Sequence, residues 1–125
     1  MNPPQQLANS IAVLNRRAPY AGSVAQDSLE FVMAMSNFGQ QLSLFFVDDG
    51  VYQLLSGQAP QHIVRKHFTK GLAALPFYDV DNIFVCQRSL EQRGIQVDAL
   101  SIKAQLLASD KLAEFIAAHK QVVTF

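Results

Sequence analysis

A single cysteine, Cys86, is the side chain of this sequence best suited to covalent chemistry. It follows the apolar residues 83–85 and precedes Gln87 and Arg88, so it lies where a predicted strand gives way to a predicted helix. Amide groups at a helix start and a neighbouring arginine favour a thiolate, which can accept sulfur as a persulfide. Because lone cysteines are often small core residues, a buried and inert Cys86 is an equal alternative.

Two adjacent carboxylates, Asp48 and Asp49, follow another predicted strand and precede Gly50. Paired carboxylates suit Mg²⁺, but no third ligand or catalytic lysine is evident near them. The pattern therefore favours a structural role, in which Asp49 caps a short helix that starts at Gly50 and Asp48 faces water. We expect Gly50 to permit close approach of two backbone segments.

Two further stretches carry groups that bind phosphate in other proteins. In the loop 16–22, a glycine just before a helix could cradle a phosphate, but one glycine is neither a dinucleotide fingerprint nor a P-loop. A helix start capped by Ser23 and Gln26 is the simpler interpretation. A solvated helix face similarly accounts for the basic stretch of His62, Arg65, Lys66, His67 and Lys70, and the histidine spacing does not suit a shared metal. We predict no metal-binding and no cofactor-binding residues.

The composition limits the classes of function. Ten basic and ten acidic residues cancel, which disfavours direct binding to nucleic acid. One cysteine excludes an internal disulfide framework and fits a reducing compartment. No apolar run reaches the ~20 residues of a membrane span, and the polar first residues do not resemble a signal peptide, so we expect a cytoplasmic protein. Half of the residues are hydrophobic and only 16% are charged, which indicates a surface partly buried against partner subunits.

The elements that must position these groups alternate between strand and helix. After a flexible lead over residues 1–9, residues 10–125 are predicted to form a single α/β domain, within the usual size of one domain. The alternation implies a mostly parallel, five-stranded sheet with helices on both faces, and function at the carboxyl ends of its strands. The predicted strands cover residues 10–14, 42–47, 82–86, 102–107 and 121–124. The first predicted helix begins at Ser23 and ends at Gly39. Further helices are predicted over residues 51–55, 62–75 and 89–93, and a last helix is predicted to be capped by Ser109.

Several strings in the sequence closely resemble the TusC/DsrF family of sulfur-relay subunits, in the DsrE/DsrF-like superfamily. The most specific is FFVDDGVYQLL at 45–55, followed by GQAP at 57–60. The others are Tyr78-Asp79-Val80, Val85-Cys86, Ser89-Leu90, Arg93-Gly94 and the ending VVTF at 122–125. The resemblance runs from about Ser10 to Phe125 and is weak over residues 95–108. It implies a three-layer α/β/α sandwich.

The resemblance also implies a place in a sulfur-transfer pathway. The chain would join TusB-like and TusD-like subunits in a heterohexamer, a dimer of heterotrimers. That complex accepts persulfide sulfur from a TusA-like carrier and passes it through a TusE-like carrier toward 2-thiouridine at the tRNA wobble position. In sulfur oxidisers, related Dsr complexes serve dissimilatory sulfur metabolism instead. On this resemblance the chain is an accessory subunit rather than a catalyst on its own.

Cys86 followed by Arg93-Gly94 matches the placement of the persulfide-carrying cysteine in TusD/DsrE-like subunits. In TusC-like subunits, however, the relay is usually credited to the TusD-like partner, so the resemblance supports membership of the assembly more than a carrier role for Cys86. Two other classes of function stay open. One is a flavodoxin-like protein that binds a nucleotide or flavin at the loop 16–22. The other is a direct RNA-binding protein, which the zero net charge disfavours.

Overall fold

The computed structural model describes residues 10–18, 23–55, 71–78, 80 and 82–125. Its strands are β1 Ser10–Asn15, β2 Gln41–Phe46, β3 Asn82–Cys86, β4 Gln105–Leu107 and β5 Gln121–Thr124. They form one sheet in the order β4-β3-β2-β1-β5. All four neighbouring pairs are parallel, so the carboxyl ends of the strands lie at one edge. The predicted parallel sheet of five strands is confirmed.

Helices connect these strands within the described residues. They are α1 Val24–Ser36, α2 Gln87–Gln92 and α3 Ser109–Ala117, with 3₁₀ helices at Asp48–Leu54, Leu75–Tyr78 and Val97–Ala99. Residues 71–74 are helical. The rest of the helix predicted over 62–75, including its basic residues, lies outside the described residues, as does the predicted lead over 1–9. None of the described helices is both long enough and apolar enough to cross a bilayer.

Side chains alternate between the two faces of the sheet because successive residues of a strand point in opposite directions. Ile11, Val13 and Leu44 pack on one face with Leu29 and Val32 of α1. The other face carries a second cluster, made by Ala12, Phe45, Phe84, Leu107 and Phe115 of α3. The sheet therefore lies between two helical layers, which confirms the predicted three-layer α/β/α arrangement.

The fourth strand is shorter than predicted. Residues 102–107 were expected to be extended, but β4 covers only Gln105–Leu107. The preceding segment is held elsewhere, because Leu100 bridges Leu55 and the Ser101 amide donates to the Leu54 carbonyl over 2.6 Å. These contacts direct the chain toward the end of the 3₁₀ helix Asp48–Leu54 before it can enter the sheet.

The ends predicted for α1 are correct in position, but the predicted chemistry of its start is wrong. Gly39 adopts a φ of 75° just after α1, as expected of a residue that ends a helix. Ser23 stands at the N-terminus of α1, but its hydroxyl donates to the Asp27 carboxylate over 3.0 Å, so the capping box with Gln26 does not form. Ser109 was predicted to cap α3, but it is the first residue of that helix, and the N-cap position is Ala108.

Candidate functional site

A cleft of about 430 Å³ opens at the carboxyl edge of the sheet. Apolar side chains line part of it, and they come from the ends of two strands and from α3: Leu14, Val47, Leu112 and Ile116. Its polar lining includes Arg16 after β1, Asp48 after β2, and Arg88 and Ser89 in α2. The parallel strands bring these residues together, since each connection leaves the sheet at the same edge.

Cys86 ends β3 and lines this cleft. Its register partner is Leu107, and by strand alternation it shares a face with Phe84, on the α3 side. The thiol is free, and the residue is 6% exposed. Helix α2 begins at the next residue, two positions before the predicted start at Ser89, and the Cys86 side chain makes no capping bond to it. The position therefore joins a recessed thiol to an open cleft.

The nearest basic side chain in sequence, Arg88, also lines the cleft. It is exposed, and among the described residues it has no ion pair or hydrogen bond. Arg16 differs, because its Nε donates to the Asp48 carboxylate over 3.0 Å. The cleft thus carries one paired and one unpaired guanidinium, which suits an approaching anionic group.

Asp48 does not simply face water. Its φ of 50° lies in the left-handed region, which is uncommon for a residue other than glycine. Its backbone amide donates to the Ser89 hydroxyl over 2.9 Å, while its carboxylate accepts from Arg16. Asp48 therefore links the end of β2 to α2 and to the end of β1.

Asp49 does not cap a helix, contrary to the sequence prediction. The 3₁₀ helix begins at Asp48, and no side chain caps it. The Asp49 carboxylate instead accepts from Nε and Nη2 of Arg93, over 3.1 and 2.9 Å. Arg93 Nη1 also donates to the Ser89 carbonyl over 3.2 Å. Asp49 therefore pairs with Arg93, 44 positions along the chain, instead of capping the helix next to it.

Gly50 allows two backbone segments to approach, as predicted. A Cβ at this position would overlap the carbonyl oxygen of Asn15. That carbonyl accepts from the Val47 amide over 3.1 Å, so the connection after β2 lies directly against the end of β1. The three residues Asp48, Asp49 and Gly50 therefore each hold a different contact. Within the described residues, no group of three acidic, histidine or cysteine side chains is arranged to hold a metal ion.

The loop 16–22, considered as a phosphate cradle and judged more simply as a helix start, is described only over residues 16–18. In that part, Gln53 is buried and its Nε2 donates to the Arg17 carbonyl over 2.8 Å. The rest of the loop, including its glycine, lies outside the described residues.

Sequence reasoning placed Arg16 at this edge, as the first residue of the loop 16–22, but missed its ion pair with Asp48 and missed Ser89 as a member of the site. The signal for the ion pair becomes usable once the strand order is known, because neighbouring parallel strands place the residues that follow them side by side. Arg16 follows β1 and Asp48 follows β2, so opposite charges at adjacent strand ends predict their ion pair. The buried pair of His119 and Ser43 was also missed. The His119 Nε2 lies 2.7 Å from the Ser43 hydroxyl. The two residues are 76 positions apart, so no local sequence pattern predicts this contact.

Comparisons with known proteins agree with this architecture. The family model described as the DsrE/DsrF-like family matches residues 9–125. A protein named TusC homolog from Pseudomonas aeruginosa is 31% identical over 118 residues, which cover 94% of this chain and 99% of that protein. A protein of the same name from Vibrio parahaemolyticus is 32% identical over 117 residues, with the same coverage.

A solved structure shows the same fold. The crystal structure of the ychN protein from E. coli superposes with a TM-score of 0.78 at 24% identity, over 94% of this chain and 99% of that one. At that identity the likeness concerns the fold alone. The relatives above are similar along nearly their whole length and extend the assignment beyond the fold. The chain therefore belongs to the DsrE/DsrF-like family, as a member of its TusC/DsrF group.

Proposed function

We propose that this chain is a TusC-like subunit of a sulfur-relay complex that passes persulfide sulfur toward 2-thiouridine at the tRNA wobble position. The observation that carries the proposal is the similarity to proteins named TusC homolog over 94% of this chain and 99% of theirs. The complex would be a cytoplasmic heterohexamer with TusB-like and TusD-like subunits. It would receive sulfur from a TusA-like carrier and deliver it to a TusE-like carrier.

The surface supports a role in an assembly. Phe38 and Phe77 are 75% and 90% exposed, and Val97 and Val122 are about half exposed. Large apolar side chains at such exposure lose contact with water when a partner covers them, and obligate interfaces are more hydrophobic than ordinary surface. Only 16% of the residues are charged, which fits the same interpretation.

The position of Cys86 in the cleft supports a role for its thiol in sulfur exchange. The Cys86 thiolate would attack the terminal sulfur of a donor persulfide, R–S–SH. The donor S–S bond breaks as a new S–S bond forms, so Cys86 becomes a persulfide and the donor leaves as R–S⁻. The proton stays on the transferred sulfur, and no external oxidant or reductant is required. Arg88, on the rim of the cleft, would favour the anionic groups in this exchange.

A scaffold role is the alternative within the same complex. There the TusD-like partner carries sulfur, and this chain only holds the assembly together. The recessed position of Cys86, 6% exposed, is compatible with either role.

The deciding experiment uses the complex co-expressed with its TusB-like and TusD-like partners. The intact complex is treated with a persulfide donor, and each subunit is weighed by mass spectrometry. We expect this chain to gain one sulfur atom, and Cys86→Ser to abolish the gain while the complex still assembles. Gain of sulfur on the partner alone would show that this subunit is a scaffold.

The destination of the sulfur needs a second measurement. Deleting the gene for this chain should lower the 2-thiouridine content of tRNA, and the wild-type gene should restore it. Loss of sulfur oxidation with unchanged 2-thiouridine would assign the chain to a DsrF-like role. If the purified chain is a stable monomer that binds neither the TusB-like nor the TusD-like subunit, the assembly proposal is wrong.

A further inference from the structure

Two short strings that lie far apart in the sequence meet beside the cleft: Asp48-Asp49 after β2, and Ser89 with Arg93 in and just after α2. We infer that these four residues, which we name the α2 clamp, together position the Cys86 thiol. The inference rests on the proposed function only in assigning a use to the thiol. The contacts themselves are properties of the fold.

The first half of the clamp is a hydrogen bond from backbone to side chain. The Asp48 amide donates to the Ser89 hydroxyl over 2.9 Å, and Ser89 is 4% exposed. Asp48 makes this contact from a left-handed backbone conformation, with φ of 50°. Such a conformation is unfavourable for aspartate and persists only where surrounding contacts determine it. The Arg16 pair and the adjacent contact of Gly50 with Asn15 supply that support.

The second half is a forked ion pair. The Arg93 guanidinium donates twice to one oxygen of Asp49 and once to the Ser89 carbonyl. The Arg93 side chain is 20% exposed, whereas the Asp49 side chain is 60% exposed. Ser89 is therefore held at its hydroxyl by Asp48 and at its carbonyl by Arg93. The Asp48–Ser89 bond and the Arg93–Asp49 pair tie α2 to the segment that follows β2. The bond from Arg93 to the Ser89 carbonyl lies within the end of α2 and orients the guanidinium toward Asp49.

The clamp acts on Cys86 because α2 starts directly after that residue and is only six residues long. A helix of this length is not stable by itself, so external contacts must hold its direction. The Cys86 side chain makes no capping bond that would hold the junction locally. Ser89 lies three positions after Cys86, within the first turn, so a fixed Ser89 fixes where the strand ends and where the thiol sits. The clamp thus keeps the thiol recessed in the cleft.

The test uses the fact that Cys86 is the only cysteine of this chain, so modification of this subunit by a thiol reagent reports on that position. The rate of alkylation by iodoacetamide is followed by mass spectrometry, in the assembled complex, for the wild type and three variants. Asp49→Asn removes the carboxylate of the forked pair, and Ser89→Ala removes the hydroxyl. Glu114→Gln is the matched control, since it removes an exposed carboxylate from the Lys111 pair on α3.

We expect Ser89→Ala to raise the alkylation rate about fivefold. This factor corresponds to the net free energy that one hydrogen bond typically contributes. Asp49→Asn should raise it about two- to fivefold, and Glu114→Gln should leave it unchanged. Salt screens an exposed ion pair, so 1 M salt should bring the wild type toward the rate of Asp49→Asn. Sulfur uptake from the persulfide donor should fall in both clamp variants, because a loosened thiol is more accessible but no longer correctly placed.

Wild-type alkylation rates in both clamp variants would overturn the inference, as would an equal rise in Glu114→Gln. A rise of both alkylation and sulfur uptake would also overturn it, because the contacts would then only cover the thiol. If the wild-type chain takes up no sulfur, the carrier role fails by itself. The alkylation rates and their salt dependence still decide whether the clamp holds the thiol.

Discussion

The two faces of the sheet are built differently. The face toward α1 carries a large cluster made mainly of aliphatic side chains, with contributions from α1, from two 3₁₀ helices and from α2. The face toward α3 carries a small cluster with three phenylalanines. The Phe45 and Phe84 rings stack with centroids 5.1 Å apart, and Phe115 meets Phe84 edge-on at 5.2 Å. The buried His119 ring also lies nearly perpendicular to the Phe45 ring, with centroids 5.8 Å apart.

The strand order explains this difference. The chain steps from β1 to β2, β3 and β4 in one direction across the sheet, and right-handed crossovers place the described helices of these connections on the same face. The return from β4 to β5 runs the opposite way and places α3 on the other face. Among the described residues, one helix of nine residues therefore packs on that face, and large rings fill the space beside it. Leu112 and Ile116 of the same helix line the cleft, so the thinner layer also forms part of the candidate site.

The largest expected effect comes from removing the ring that α3 contributes to the thin layer. Phe115 is 1% exposed, and Phe115→Ala should lower the free energy of unfolding by about 3–5 kcal/mol. Chemical denaturation measures this loss. Phe31→Ala is the comparison on the α1 side, where the ring is only partly buried and meets Phe125 at 5.6 Å. A loss in Phe115→Ala no larger than in Phe31→Ala would show that the α3 layer does not depend on its rings.

The thick layer has a sensitive point at the carboxyl edge. A methyl group at Gly50 would overlap the Asn15 carbonyl, so Gly50→Ala must displace the 3₁₀ helix that carries Val51 and Leu54 into the α1-side core. We expect a loss of about 3 kcal/mol in the free energy of unfolding. Gly94→Ala is the matched variant, because its Cβ would meet nothing within 4 Å and only its φ of 65° opposes the change. That variant should lose about 1 kcal/mol. Equal losses would mean that the contact with Asn15 relaxes easily.

Much of this architecture was predictable from the sequence. The apolar run at residues 42–47 predicted a strand covered on both faces, and β2 is indeed buried from its second residue onward, with Leu44 in the α1-side cluster and Phe45 in the α3-side cluster. The hydrophobic pattern predicted the bounds of β4 less well, because β4 is an edge strand of only three residues and lies beside the polar Lys103. The connection tied to Leu54 depends on hydrogen bonds between distant segments, which local pattern does not carry.

The candidate site shows the same limit. Cys86 and the pair Asp48-Asp49 were identified from the sequence, each as a separate feature. What joins them is the contact of Arg93 with Asp49 and of Ser89 with Asp48, across 44 and 41 positions. Capping preference describes only a residue's neighbours, so it assigned Asp49 a partner within its own helix. Strand order was the missing information, because it decides which strand ends are adjacent.

The smallest expected effect compares one buried hydroxyl on each face. On the α1 side, the Ser28 hydroxyl donates to the Asn15 side-chain carbonyl, and both residues are 2% exposed. On the α3 side, the His119 Nδ1 lies 2.8 Å from the Phe115 carbonyl, which can only accept, so Nδ1 donates and Nε2 accepts from Ser43. Each face thus contains one serine whose hydroxyl satisfies a buried acceptor.

Replacing either serine with alanine leaves that acceptor unpaired, which costs about 1–3 kcal/mol in the free energy of unfolding. Ser28→Ala should cost more than Ser43→Ala, because the Asn15 Nδ2 has no hydrogen-bond partner among the described residues and the whole side-chain amide would then be unsatisfied there. His119 keeps its bond to Phe115 in either case. Ser36→Ala, which removes only a half-buried bond to the Met33 carbonyl, should change stability by less than about 1 kcal/mol. Urea titration of the three variants would give the order, and a larger loss in Ser43→Ala would show that the thin layer depends more on its polar pair than the thick layer does.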